Sequence, residues 1–315
     1  MKTIYISYRV SLLNKRKEEQ VLSRFNGYLD FIHVIKEFCD YTLENIKSYY
    51  DPQGNSRTFS LNRLAKISLK ERIVYGDFES GFTGDEVLVK DNKNNNLLFD
   101  VHTKHLQARK LLFLFYIPKG SKYGYLILQK KNNHGVKTVL LNALNEFLKI
   151  KGYTDYLSTF VPSSNFKKMI EGLRFGKIKQ VKFKSFSSGL MAKNIQINSF
   201  FKNNISELIV KPSKNEDLIR QREILLSLFS NNYEFDDLIF IPGISQGCIE
   251  ISFLVNYQGI SKTYYIKEKS KIKSNINVSN KLSYENGYPT RESMIIVALE
   301  IAKSFFNNDD SDLAA

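Results

Sequence analysis

Tryptophan is missing from this chain, and cysteine nearly so, with two in 315 residues. Cys39 and Cys248 are far apart, sit in apolar surroundings and show neither a CxxC spacing nor a nearby histidine. That excludes the disulfide framework of a small secreted domain and leaves both thiols as expected small core residues. Long hydrophobic runs are also lacking, and no stretch approaches the ~20 apolar residues of a membrane span. The opening "MKTIYISYRVSLLNKRKEEQ" has neither the continuous apolar core nor the small-residue cleavage site of a secretory signal. A cytoplasmic location is the expectation. Catalytic signatures are absent as well: there is no GxSxG, no P-loop, no GxGxxG and no HExxH. No cofactor and no small-molecule substrate is nominated, and neither internal repeats nor heptads occur.

What is present is apolar residues in quantity and an excess of positive charge. Apolar content of 43% and aromatic content of 13% support a sizeable core and exclude wholesale disorder. Lysine and arginine number 46 against 32 acids, a net charge of +14. Abundant Ile, Lys and Asn suggest an AT-rich coding background, so the placement of lysines matters more than their number. That placement is uneven. Residues 151–214 hold twelve Lys or Arg against Asp155, Glu171 and Glu207, a net of +9 in a fifth of the chain. A field of that kind suits a polyanion, with nucleic acid first and an anionic membrane surface second.

The patterning predicts an α+β protein of mixed antiparallel sheets with packed helices, in two subdomains. "TIYISYRV" alternates as a strand. Val21, Phe25, Leu29, Ile32, Ile35, Cys39, Leu43 and Ile46 recur at helical spacing over residues 15–46, with Gly27 as a break. "LLFLFYIP" (111–118) reads as a strand buried on both faces, and "YGYLILQK" (123–130) completes a hairpin with it. Residues 135–149 form a helix with Val136, Leu140, Leu144, Phe147 and Leu148 inward. "KGYTDY" (151–156) marks a boundary, giving an N-terminal domain over 1–152 and a C-terminal domain over 153–306. The acidic end, 307–315, is expected to fray. In the second half, "SSNFKKMIEG" is a short helix ended by Gly172, and residues 215–229 are an amphipathic helix. A β-rich stretch runs from Cys248 to Tyr284, and Thr290 caps a last helix.

Three constellations could carry function. Asp77, Glu79, Asp85 and Glu86, followed by Lys90, are the carboxylates and lysine that a Mg²⁺-dependent nuclease would need. Their Gly-rich setting and the spacing of Glu86 from Lys90 fit a solvated acidic loop better. Asp100, His102 and His105 offer three ligands for zinc without a fourth at recognisable spacing, and read as a surface pair of histidines. The basic constellation is stronger. "RFGKIKQVKFKSFSSG" (174–189) carries Arg174, Lys177, Lys179, Lys182 and Lys184 with no acid. Its alternation slips phase at Gln180, so a regular strand would split the lysines between two faces. A bulge near Gln180 would gather them on one face, with Val181 and Phe183 inward. Lys167 and Lys168 on the preceding helix could extend that surface. Lys267, Lys269, Lys271 and Lys273 recur at every second position and would share one strand face, either as a second phosphate-binding row or as protection of a sheet edge.

A short "IYISYR" strand, a helical then β-rich first half, the hairpin "FLFYIPKGSKYGYLIL", the basic "FGKIKQVKFK" and the late hairpin "IEISFLVNYQGISKTYYI" before a C-terminal helix follow one another along the chain. In that order of elements the sequence resembles the RexA-like phage-exclusion proteins of bacteriophage lambda and their bacterial anti-phage relatives. The resemblance implies a cytoplasmic DNA-binding sensor that acts as a homodimer and signals to a membrane-protein partner; it transfers no catalytic residue. The sequence expectation is thus a DNA-binding (or RNA-binding) component of an anti-phage defence system. The alternatives are a Mg²⁺-dependent effector nuclease and an interaction protein for a membrane partner or anionic lipid.

Overall fold

The structure, a computed structural model, describes residues 2–44, 47–50, 56–61, 63–84, 86–130, 136–163, 166–186, 205–211, 222–223, 225–226, 248–257, 260–266 and 272–312. The chain begins with β1 (Ile4–Leu13), α1 (Phe31–Glu44), β2 (Lys47–Tyr50), β3 (Ser56–Leu61), β4 (Lys66–Ser68) and β5 (Ile73–Phe82). Next come β6 (Val87–Lys90), β7 (Leu97–Val101), β8 (Gln107–Tyr116), β9 (Tyr123–Lys130), α2 (Lys137–Ile150) and β10 (Leu157–Pro162). The remainder is α3 (Phe166–Phe175), β11 (Lys177–Phe186), β12 (Ile205–Val210), β13 (Cys248–Tyr257), β14 (Ile260–Ile266) and β15 (Ile272–Asn277). A two-residue pair, β16 (Tyr284–Glu285) and β17 (Tyr288–Pro289), precedes α4 (Arg291–Asp312). Strands and helices fall in runs rather than in regular alternation, and the class is α+β.

These elements form two compact units, and neither is continuous in sequence. One gathers Met1–Ser7, Pro162–Leu282 and Asn307–Ala315; the other gathers Tyr8–Val161 and Ser283–Phe306. The expected division at 152/153 therefore differs from the observed one at both ends of the chain. Strand pairing is the reason: Ile4, Tyr5 and Ile6 sit opposite Asn277, Ile276 and Asn275, some 270 residues away. No local pattern announces such a partner. The helix expected to end near 306 continues through Asp312, since neither glycine nor proline interrupts residues 307–312.

The unit built on Tyr8–Val161 has strand order β1-β9-β8-β5-β3-β2. Leu111 to Phe115 are all buried, as a continuous apolar run demands, because helices cover both faces of this sheet. On one face Phe38 of α1 and Phe147 of α2 meet Phe59, Phe78 and Phe113 in a chain of ring contacts. On the other, Phe305 of α4 stacks on Tyr125 and Phe306 meets Tyr116. Each such buried aromatic removes roughly 150–250 Å² from water, so these contacts dominate the unit's core. The α2 positions Val136, Leu140, Leu144, Phe147 and Leu148 are all buried, as their spacing predicts.

The helix anticipated from residue 15 begins only at Phe31. Asn14 Oδ1 accepts the N–H groups of Arg16 and Glu18 and closes a tight turn, and Gly27 adopts φ +95°. Asp30 then starts α1, its carboxylate accepting the Ile32 N–H at 3.2 Å. Val21 and Phe25 have apolar neighbours without being helical, which is how a 3.6-residue period can be counterfeited. Thr290 opens α4 as expected, with Oγ1 accepting the Ser293 N–H and the backbone carbonyl that of Met294. Among the described residues no helix is long and apolar enough to cross a membrane.

Candidate nucleic-acid interface

The other unit has strand order β12-β11-β13-β14-β15, with Ile4–Ile6 of β1 beside β15. Its core comprises Met169 and Leu173 of α3 with Ile178, Val181, Ile251, Phe253, Val255 and Tyr264 of the sheet, and Leu225. Gly172 does not end α3, contrary to expectation. It lies inside the helix beside Val255, where an added Cβ would make an ordinary van der Waals contact at 3.4 Å. Gly176 is the residue that permits the exit. A Cβ there would stand 2.5 Å from the Gly172 carbonyl and 2.9 Å from that of Asn256, distances no side chain tolerates. Arg222 secures the same turn, its guanidinium donating to the carbonyls of Gly176 (2.8 Å) and Arg174 (3.2 Å) at the negative end of the helix.

β11 begins immediately after this turn. Ile178 and Val181 are both buried although they lie three positions apart, which a regular strand forbids. The ladder with β13 explains it: Ile178 faces Val255 and Gln180 faces Leu254, so Lys179 is an extra residue with no partner opposite. The irregularity expected near Gln180 is therefore present, and its bulged residue is Lys179. Mentally removing Lys179 restores perfect alternation, with Lys177, Gln180 and Lys182 outward and Ile178 and Val181 inward. Lys177 and Lys179 are exposed and Lys182 is half-buried.

The outer face around these lysines is polar. Lys177 stands opposite Asn256, which in turn faces Ser261 and then Asn277. The next row runs Gln180, Leu254, Thr263, Asn275, and the row after it Lys182, Ser252, Tyr265, Lys273, with Ile209 of β12 on the far side of Lys182. Lys184 occupies a different setting, opposite Glu207 on one neighbour and Glu250 on the other.

Other nominated lysines are placed elsewhere. α3 packs on the inner face of the sheet through Met169 and Leu173, and the side chains of Lys167 and Lys168 lie outside the described residues. Of the expected row of four lysines over 267–273, Lys273 is the member that falls in a described strand. Lys267, Lys269 and Lys271 lie outside the described residues. Lys273 itself is on β15, an inner strand between β14 and β1, which also rules out edge protection as its role.

Among the described residues the acidic constellation does not converge. Asp77 and Glu79 share one face of β5, but Asp77 lies 2.5 Å from the Arg291 guanidinium and 3.9 Å from the Lys110 ammonium, and Glu79 stands opposite Lys110 in the ladder. Burial pushes the Asp77 carboxyl above its ordinary range, against the opposing pull of Arg291, Lys110 and Arg63. Glu86 and Lys90 are exposed at the two ends of β6, and Asp85 lies outside the described residues. His102 and His105 form a tight turn in which the His102 N–H donates to His105 Nδ1 at 3.1 Å and the His105 ring stacks on Phe99. Among the described residues no three His, Cys, Asp or Glu side chains converge to hold a metal.

The chain matches no family model, no curated protein and no solved structure. Its chemistry is therefore carried by the geometry of its own side chains, and two of those went unnoticed in the sequence. Phe175 is 73% exposed between Arg174, also exposed, and the Gly176–Lys177 step, a ring held at the rim of the basic strand. Its signal was an aromatic residue flanked by a cation and a glycine at the end of an amphipathic helix. Arg222 gave no local signal, because its acceptors are 46 and 48 residues away.

Proposed function

We propose that this protein binds nucleic acid, chiefly the DNA phosphate backbone, through the rim and outer face of β11, and serves as a sensor or regulator in anti-phage defence. The observation that carries the binding reading is the bulge at Lys179. It keeps Ile178 and Val181 in the core while Lys177 and Lys182 stay outward and Lys179 exposed. Arg174 adds a fourth cation, and the Asn, Ser and Thr rows beside Lys177 supply uncharged hydrogen-bonding groups suited to phosphate and sugar oxygens. Phe175 offers a π-face for a base from a frayed or single-stranded end. The defence context, the homodimer and the membrane-protein partner rest on the resemblance in the order of elements. Such a surface grips charge without reading sequence.

Fluorescence anisotropy with labelled duplex DNA, single-stranded DNA and RNA tests the reading. Four phosphate contacts give a slope of about −3.6 in log affinity against log salt, a loss of about a hundredfold between roughly 50 and 200 mM. Replacing Lys177, Lys179, Lys182 and Lys184 together with Glu abolishes retention in a gel shift at unchanged circular dichroism. An unaltered shift sinks the assignment. Mg²⁺-dependent cleavage of plasmid or RNA that disappears in Glu79→Ala would instead favour the nuclease.

A further inference from the structure

β6 and β7 form a two-stranded ribbon whose side chains are apolar on both faces and exposed. Leu98 (62%), Leu88 (57%), Leu97 (56%) and Phe99 (54%) are the most open, with Val87 and Val89 exposed as well. An isolated two-stranded ribbon is marginal in water, and three or more strands are needed for independent stability. Each strand of this ribbon has one ladder edge with no strand beside it among the described residues. Long apolar edges of this kind are ordinarily shortened, charged or covered. The tip between the strands, Asp91-Asn-Lys-Asn-Asn-Asn96, is wholly polar, which opposes tip-first entry into lipid and favours a protein neighbour.

We infer that this neighbour is a second copy of the chain, docked β6 to β6 in antiparallel register about a two-fold axis at Leu88. The sequence of β6 is self-complementary in that register alone. Leu88 meets Leu88 of the other copy, Val87 meets Val89, and the exposed Glu86 meets the exposed Lys90 at both ends. Shifting the register by two residues in either direction breaks the charge match and sets either Glu86 or Lys90 against Leu88. The Val89–Phe99 and Val87–Val101 pairs of each ribbon then line up across four strands as one apolar face. Opposite-charge and aliphatic cross-strand pairs stabilise such a sheet, and like charges placed opposite destabilise it. An edge-to-edge contact through β6 covers only part of the arm's exposed apolar side chains, below the ~800 Å² per partner of a standard interface, so a reversible dimer is expected rather than an obligate one. An isologous contact of this kind closes at two copies.

Sedimentation velocity of the full chain without nucleic acid tests this. The wild type should show a concentration-dependent dimer, and Leu88→Glu should be monomeric, since it sets two carboxylates together on the axis. Glu86→Lys and Lys90→Glu, each at an exposed position and each creating two like-charge contacts, should weaken the dimer about tenfold. The double variant Glu86→Lys/Lys90→Glu should return it to within about threefold of the wild type. Melting temperatures within a few degrees of the wild type show that these variants fold. A wild type that stays monomeric at high concentration overturns the proposal. So does a dimer indifferent to Leu88→Glu, or one that the double variant fails to restore.

Discussion

β5 and β11 are both ten-residue strands carrying charge at alternate positions, yet they treat that charge in opposite ways. On β5, Asp77 and Glu79 point to the face that α4 covers, and each finds a cation: Arg291 and Lys110 for Asp77, and Lys110 opposite Glu79. On β11 the cations point outward, to a face whose neighbouring strands offer Asn, Ser, Thr and Tyr, with acids opposite only Lys184. Local sequence looks equally suggestive in the two places. On β5 the charges stand beside opposite charge within the fold, whereas Lys177 and Lys182 stand in rows of uncharged residues. The difference teaches that the same alternation can mean scaffold or surface, and that the opposite strand decides which.

Six substitutions sharpen that contrast. The largest effect should come from Gly176→Ala, which forces a Cβ against two carbonyls at the entry to β11. A loss of about 2–3 kcal/mol in chemical denaturation is expected, together with weaker DNA binding, because the turn that aims Arg174 and Lys177 is displaced. Ordinary stability in that variant would mean the turn is looser than the packing implies.

Arg291→Ala comes next, at about 1–2 kcal/mol, because it leaves the half-buried Asp77 carboxylate without its nearest partner. DNA affinity should not change. Lys177→Ala, by contrast, should lower affinity and leave stability within about 0.5 kcal/mol. Asp77 also gives a pH signature. Its carboxyl titrates above its unfolded value, so its contribution is fully present below the unfolded pKa and is lost as pH rises through the folded one. The wild type should therefore gain stability relative to Asp77→Asn as pH falls through that window, and a parallel pH profile for the two would refute the assignment.

The smallest effect separates two lysines on one strand. Lys182→Ala should weaken DNA binding about threefold and reduce the salt slope by about one, whereas Lys184→Ala should do less, since its position is flanked by Glu207 and Glu250. Equal losses would show that those acids do not offset it.

Much of the fold was legible wherever the physical cause is local. The run Leu111–Phe115 is buried on both faces because no polar residue interrupts it, and the α2 stripe faces inward because its apolar residues recur at the helical period. The opening turn was misread where Val21 and Phe25 imitate that period without a helix. Gly172 resembles a terminator because a glycine late in a helical pattern usually is one, yet α3 runs through it to Phe175. Arg222, and the pairing of Ile4–Ile6 with Asn275–Asn277, were out of reach, because each depends on residues brought together over dozens or hundreds of positions.

By itself the sequence determined that β11 could not be a regular strand with its lysines on one side. Ile178 and Val181, three apart and both apolar, demanded an extra residue, since a pleat alternates strictly and burying a lysine without a partner costs several kcal/mol. Which residue became the bulge, and what the lysines then faced, was settled only by the ladder with β13. Register is fixed by a neighbour contributed from far along the chain, and that neighbour placed Lys179 outside the pairing, Asn256 beside Lys177 and Glu250 beside Lys184.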